Sequence, residues 1–239
     1  KLWWYFIVRP MAYILHLETS TKQCSVALAH KGELLASRIL LNDSFSHSEK
    51  LHLFISEVLQ EAKLKSADLD AVAVSKGPGS YTGLRIGVAA AKGLCFGLDI
   101  PLIALNALKI LAQASTEQNT DYIIPMMDAR RMEVYTAVFD SRRNWVEDTS
   151  ALVLSRDSFK ELLKDQTVLV LGDGAQKFKE LNPEINAVFP SEIFYPKAVD
   201  MTPLAWEKFN SQAFESLAYF EPFYLKDFQT TPPKKNLGV

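Results

Sequence analysis

Ser75-Lys-Gly-Pro-Gly-Ser-Tyr-Thr-Gly-Leu-Arg-Ile-Gly87 is the stretch that decides how this chain folds. It follows a short apolar run, residues 69–74, that reads as a buried strand, and it opens a segment, residues 83–98, that reads as a helix. Glycines at such a junction permit positive φ and close backbone approach. A helix N-terminus also attracts anions. The spacing nevertheless differs from both familiar phosphate cradles. A Walker A loop requires lysine where Leu84 stands. The dinucleotide fingerprint has one residue fewer between its last two glycines than separates Gly79 from Gly83. Two readings remain: a phosphate-binding turn, or a structural loop that draws a helix close to a sheet.

Between Arg85 and Leu98 only Arg85 and Lys92 are charged. On a helical wheel Gly83, Gly87, Ala90, Leu94 and Leu98 share one small, apolar face suited to a sheet. The opposite face carries Arg85, Ala89, Lys92 and Phe96, with Val88 beside it. A helix that is apolar nearly all round is covered on both sides. The outer cover is either another helix of this chain or a partner. Leu53, on the polar side of the preceding helix, likewise lacks an obvious internal partner.

Working outward, residues 12–18, 24–29 and 33–41 read as three strands joined by turns. Ser46-His-Ser-Glu49 reads as a capping box. It opens a helix with Leu51, Phe54, Ile55, Val58, Leu59 and Ala62 on one stripe. After the glycine loop and its helix, Pro101 precedes another apolar strand. The second half repeats the plan: strands at 123–128, 132–139 and 146–154, a helix at 155–163, a strand at 167–171 and a helix at 174–181. The first strand of each half ends in an acid, Glu18 or Asp128. Such self-similarity predicts two copies of one module. The expected fold class is α/β, the actin-like (ASKHA, ribonuclease H-like) fold of two similar modules, each a mixed β-sheet flanked by helices. The expected division is residues 11–105 and 106–229, with 1–10 an extension outside the fold and 230–239 a mobile tail.

Composition narrows the function. With 239 residues, 48% hydrophobic and 23% charged, the chain is neither a disordered tail nor a coiled coil. A net charge of -2 argues against gripping nucleic acid unaided, because that rests on many phosphate contacts. Cys24 and Cys95 sit in apolar runs and read as buried thiols. His16, His30, His47 and His52 form no His-x-x-x-His pair, so no metal site is expected. The apolar run at residues 2–8 is far short of the ~20 residues that cross a bilayer, and no small-residue cleavage site follows it. It reads as an extension or, alternatively, an added edge strand. The chain reads as soluble and cytoplasmic. No catalytic triad or acid–base pair can be assembled. Gly172-Asp-Gly174, between a strand and a helix, is the one candidate nucleotide contact, with Asp173 interrupting the glycines; a structural turn is its alternative.

In order along the chain come Ile14-Leu-His-Leu-Glu-Thr-Ser-Thr21, the glycine run from Val74 to Gly87, Asp128-Ala-Arg-Arg131, Leu171-Gly-Asp-Gly-Ala175 and Phe223-Tyr-Leu-Lys226. Together these resemble the TsaB (YeaZ) family over nearly the whole chain after Met11. The resemblance implies the actin-like fold. It implies a non-catalytic dimerisation subunit of the bacterial machinery that makes threonylcarbamoyladenosine beside the anticodon of tRNAs. The partners it implies are the catalytic paralogue TsaD, the ATPase TsaE and, for the subunit alone, a second copy of itself. tRNA would be reached only through the complex, and ATP would bind only in the assembled complex. The contact would run through the helices after the first three strands and after the glycine loop, here Leu53, Arg85, Val88, Ala89, Lys92 and Phe96. The catalytic relatives carry a His-x-x-x-His motif where this chain has Leu105-Asn-Ala-Leu-Lys-Ile110. Glu18 stands where many members carry Asp, which weakens any inherited Mg²⁺ or phosphate role. A stand-alone actin-fold ATPase or kinase is the alternative; a peptidase would need ligands this chain lacks.

Overall fold

The computed structural model describes residues 12–41, 47–115 and 119–226. The cap expected at Ser46, residues 1–10 and the tail from Thr230 lie outside the described residues. Three strands form an antiparallel meander: β1 (Tyr13–Glu18), β2 (Gln23–His30) and β3 (Glu33–Leu41). The helix α1 (His47–Glu61) leads to β4 (Ala71–Gly77), which pairs parallel to β1. Next come α2 (Tyr81–Leu98) and β5 (Leu102–Asn106), giving a five-stranded sheet ordered β3-β2-β1-β4-β5. The short helix α3 (Ala107–Gln113) crosses to the second half. There β6 (Tyr122–Asp128), β7 (Glu133–Asp140), β8 (Trp145–Val153) and β9 (Val168–Leu171) order as β8-β7-β6-β9. Helix α4 (Lys160–Leu163) precedes β9, while α5 (Ala175–Leu181) and α6 (Thr202–Asn210) follow it. The repeated strand order is the duplicated actin-like architecture, and among the described residues the second sheet has four strands where the first has five.

Alternation along the strands sorts the core. Leu15, Leu17, Val26, Leu28, Val72 and Val74 face α1 and α2. Ile14, Ala27, Ala73 and Ile103 face a 3-10 turn, Ala198–Met201, and α6. The chain after Tyr195 therefore returns to the first sheet. Helix α3 is the wedge between the halves: Ile110 packs in the first core, while Ala107, Leu108, Leu111 and Ala112 pack against Ile123, Met127 and Phe139 of the second. A seven-residue helix is marginal in water, so burial on both sides is what holds it. Asn106 caps it by accepting from the N–H groups of Leu108 and Lys109.

Two local expectations change. The helix expected at residues 155–163 shrinks to α4, because Phe159 adopts φ +59° just before it and turns its ring edge-on to Phe178 at 5.9 Å. The buried arc of α2 is Gly83, Leu84, Gly87, Val88, Ala91 and Cys95, with Ala90, Leu94 and Leu98 only half-buried. The arc is rotated because Gly83 and Gly87 lie on the β1–β2 turn. A Cβ at Gly83 would stand 2.1 Å from the Thr19 carbonyl, and one at Gly87 would stand 2.2 Å from Thr19 Oγ1.

Gly83→Ala should therefore cost the isolated chain about 1–3 kcal/mol, as for other overpacked positions. Gly93→Ala, where a Cβ would meet nothing within 4 Å, should gain about 0.5–1 kcal/mol from lost backbone freedom in the unfolded chain. Urea denaturation of the two variants checks both signs; an unchanged midpoint for Gly83→Ala would show that the turn yields.

Candidate functional site

Helices α1 and α2 form one layer over the first sheet, and the outer surface of α2 is small and largely apolar. Leu53 of α1 is 47% exposed and Phe96 of α2 is 82% exposed. Arg85 and Ala89 are exposed as well. Ala89, Gly93 and Gly97 recur every four residues, one above another on this surface. Gly93 and Gly97 were not singled out from sequence; two exposed glycines inside an unbroken 18-residue helix are the signal that could have found them.

The six residues expected on a partner face do not all lie there. Val88 is 5% exposed and sits in the first core, so the structure removes it from that face. Lys92 is half-buried, and its Nζ donates to the Phe220 carbonyl at 3.0 Å. Arg85 lies over the Tyr81 ring, which packs against Tyr224. Both cations of α2 are thus engaged within the chain, and the remaining surface is small and electrically quiet.

The glycine loop is closed on its own chain. Ser80 N–H donates to the Ser20 carbonyl at 2.7 Å, and Thr19 Oγ1 donates to the Gly83 carbonyl at 2.8 Å. Ser80 caps α2 by accepting from Gly83 N–H. A Cβ at Gly79 would fall 2.2 Å from the Ser20 carbonyl. The glycines are needed for this contact, which favours the structural loop over a phosphate cradle.

The second half uses the same device. A Cβ at Gly172 would fall 2.2 Å from the Met126 carbonyl, and Gly174 N–H donates to that carbonyl at 3.0 Å. Asp173 accepts from Asp128 N–H at 2.9 Å, and burial pushes its carboxyl up. Gly172, Asp173 and Gly174 therefore fasten a loop to the end of β6.

The two strand-end acids have different surroundings. Asp128 is paired with Lys177 at 2.9 Å and accepts from Arg130 N–H. Glu18 is fully buried; Oε1 accepts from Ser20 N–H at 2.6 Å, and burial pushes the carboxyl up to about 7. A buried acid inclined to keep its proton and a lysine-paired acid make a poor seat for Mg²⁺ with a nucleotide. Among the described residues no three His, Cys, Asp or Glu side chains converge on a metal position. Burial pushes the thiols of Cys24 and Cys95 up to about 11 and about 12, far from a nucleophile's range. No helix among the described residues is long and apolar enough to cross a membrane.

Comparison with known proteins fits this geometry. Residues 42–234 match the family model described as TsaD, tRNA N6-adenosine threonylcarbamoyltransferase. The tRNA threonylcarbamoyladenosine biosynthesis protein TsaB of Escherichia coli K12 is 30% identical, over 90% of this chain and 94% of that protein. Its Haemophilus influenzae counterpart is 31% identical over 90% and 93%. A tRNA N6-adenosine threonylcarbamoyltransferase of Pediococcus pentosaceus is 34% identical over 39% of this chain and 31% of its own length. Among solved structures, YeaZ from Pseudomonas aeruginosa superposes with a TM-score of 0.79 at 29% identity, over 90% of this chain and all of that one. With near-full-length similarity in both sequence and fold, the chain belongs to the TsaB (YeaZ) family.

Proposed function

We propose that this protein is a non-catalytic dimerisation and activating subunit in the formation of N6-threonylcarbamoyladenosine on tRNA. It acts by binding the catalytic paralogue TsaD through the outer surface of α1 and α2. The names of its relatives support the pathway. The observation that supports the mode of action is the surface of α2, where Gly93 and Gly97 lie open beside a Phe96 that is 82% exposed. Each exposed helical glycine costs about 0.8–1 kcal/mol relative to alanine. Against a second helix the missing side chains let two backbones approach closely, and Phe96 gains a place out of water.

In this reading TsaD's competent state is the one that fits the helical face, so binding shifts its population toward that state. The subunit pairs with a second copy of itself through the same face when alone, and the ATPase TsaE joins the TsaD-bound form. tRNA and ATP are engaged by the assembly rather than by this subunit. The protein works in the cytoplasm.

Phe96→Asp and Gly93→Leu should each weaken the TsaD complex by at least tenfold, since burying one aromatic side chain contributes roughly 1.5–3 kcal/mol. Gel filtration of mixtures reads the complex, and circular dichroism checks that the fold is kept. An unchanged elution profile for both variants would remove this face from the interface. In a reconstituted reaction with TsaD, TsaE, ATP, threonylcarbamoyl-adenylate and tRNA, omitting this subunit should abolish transfer of labelled threonine. Equal transfer without it would end the activating role. Titrating the isolated chain with ATP and Mg²⁺ separates this reading from a stand-alone ATPase or kinase: tight binding with turnover would favour the latter.

A further inference from the structure

Rings and cations alternate along one strip of the surface that starts at the N-terminal end of the proposed docking face. Arg85, in the first turns of α2, lies 5.5 Å from the centre of the Tyr81 ring. Tyr81 packs on Tyr224, with ring centres 4.9 Å apart. Two residues on, Lys226 lies 5.7 Å from the centre of the Tyr135 ring and donates to the Ala129 carbonyl in the β6–β7 turn. That turn closes the strip with Arg130 and Arg131, both exposed. The rings are fastened before anything binds, since Phe223 N–H donates to the Lys76 carbonyl and holds residues 220–226 against β4. Tyr224 is nonetheless 39% exposed.

The carboxylates at the turn are already answered: Asp128 pairs with Lys177, and Glu133 with Lys226. Among the described residues no ion pair engages Arg130 or Arg131. Residues 220–226 bring one further exposed carboxylate, Glu221, so the strip keeps an excess of positive charge. Arg130 and Arg131 both adopt left-handed backbone, φ +70° and +51°, which asparagine or glycine holds at less cost. Two adjacent arginines are thus kept at a backbone cost, with their charge turned to solvent rather than to a carboxylate.

We propose that this strip is a contact for single-stranded RNA, in which Tyr224 stacks on an unpaired base while Arg130 and Arg131 hold neighbouring phosphates. The pattern fits that occupant by its chemistry. Unpaired bases present π-faces to tyrosine rings and guanidinium planes, and the backbone between them presents phosphates to fixed cations. A duplex keeps its base faces stacked and would use the cations alone. An acidic peptide would leave the rings unused. Arginine at the turn suits a phosphate, whose oxygens its planar fork meets in pairs.

A few guanidiniums do not hold RNA alone on a chain of net charge -2. The strip adds instead to the RNA surface of an assembly, and in this it rests on the proposed function, since tRNA stands in the names of the relatives. Its position suits that use. Arg85 lies four residues before Ala89 on α2, so an RNA on the strip runs beside whatever docks on that helix. The subunit then serves its partner twice, once through the apolar row of α2 and once by steadying a loop of the substrate.

The test uses the full chain assembled with TsaD and TsaE and a fluorescein-labelled tRNA, with affinity measured across a salt series. Arg130→Ala and Arg131→Ala should each weaken binding and flatten the slope of log affinity against log salt by about 0.7, the share of one single-strand phosphate contact. Tyr224→Ala should weaken binding by about fivefold or more at an unchanged slope, and Tyr224→Phe, which keeps the ring, should restore it. Ultraviolet crosslinking of tRNA carrying 4-thiouridine should label residues 220–226 and 130–135 of the unaltered protein, a reading that needs no variant. An assembly that forms and transfers threonine, yet binds tRNA equally with all three alanine variants and gives no crosslink there, overturns the strip and leaves the activating role standing. A subunit that never joins TsaD overturns both. Polyglutamate that competes for the strip as well as unlabelled tRNA does, charge for charge, assigns it to an acidic protein and likewise overturns the proposal.

Discussion

The contact on which the first half depends is the seating of a helix on a bare backbone. Gly79, Gly83 and Gly87 bring the start of α2 against the carbonyls of Ser20 and Thr19 and against the Thr19 hydroxyl, at distances no side chain would allow. Thr19 and Ser80 complete the seat with hydrogen bonds in both directions. Three consequences follow from that one approach. It sets the roll of α2, which buries Val88 and Ala91 and turns Ala89 and Phe96 outward. It fills with the chain's own atoms the space that a cradle would leave for an anion. It also ties the helix to the turn that follows Glu18, so that the outer layer and the buried acid share one fastening.

The second half shows what happens when the same fastening is used with less behind it. Gly172 and Gly174 close on the Met126 carbonyl much as Gly79 and Gly83 close on Ser20 and Thr19. Yet α5 has seven residues where α2 has 18, and among the described residues no strand follows β9 at the sheet edge in the way β5 follows β4. A helix of two turns covers its sheet and has little length left for an outer face. Its exposed residues, among them Gln176, Lys179 and Glu180, are polar. The duplication has therefore kept the frame in both halves and the apolar outer layer in one.

Much of this was legible from sequence because it rests on local rules. The succession of strands and helices along the chain, both strand-end acids and the glycine junctions follow from periodicity and turn chemistry. Four of the six residues expected on the outer face are exposed, since a helical wheel places opposite sides correctly. Val88 was misplaced because the wheel gives the width of a buried arc but not its centre; that centre is fixed by how deeply Gly83 and Gly87 sink onto Thr19. The interruption at Phe159 depends on a ring that pairs across space with Phe178. The return of residues 196–210 to the first sheet is a long-range event. Its marks in sequence, Gln23 and Ser25 near the start of a mostly apolar strand, acquire meaning only when Pro196 and Ala198 are beside them. Glu18 could be read as the acid at a strand end, but its complete burial could not.

On the proposed docking role, a surface formed in this way would select by shape more than by charge. Lys92 is tied to the Phe220 carbonyl and Arg85 rests on Tyr81, so neither cation is idle. The strap that receives Lys92 and packs Tyr224 on Tyr81, from Phe220 to Lys226, continues to the β6–β7 turn, where Lys226 bonds Glu133 and the Ala129 carbonyl. It also pairs Phe223 N–H with the Lys76 carbonyl at 2.7 Å, on the strand that leads into the glycine loop. The outer helix is thereby held from beneath by the β1–β2 turn and from the side by a strap reaching the other half. Two attachments on different sides restrict both roll and slide, so the row of Ala89, Gly93 and Gly97 is presented as a rigid track. Rigidity before contact reduces the ordering cost of association. A small, nearly uncharged helical track has few other means of achieving affinity, which is why the glycine seat and the strap, rather than the exposed residues alone, determine whether it can serve as a docking face.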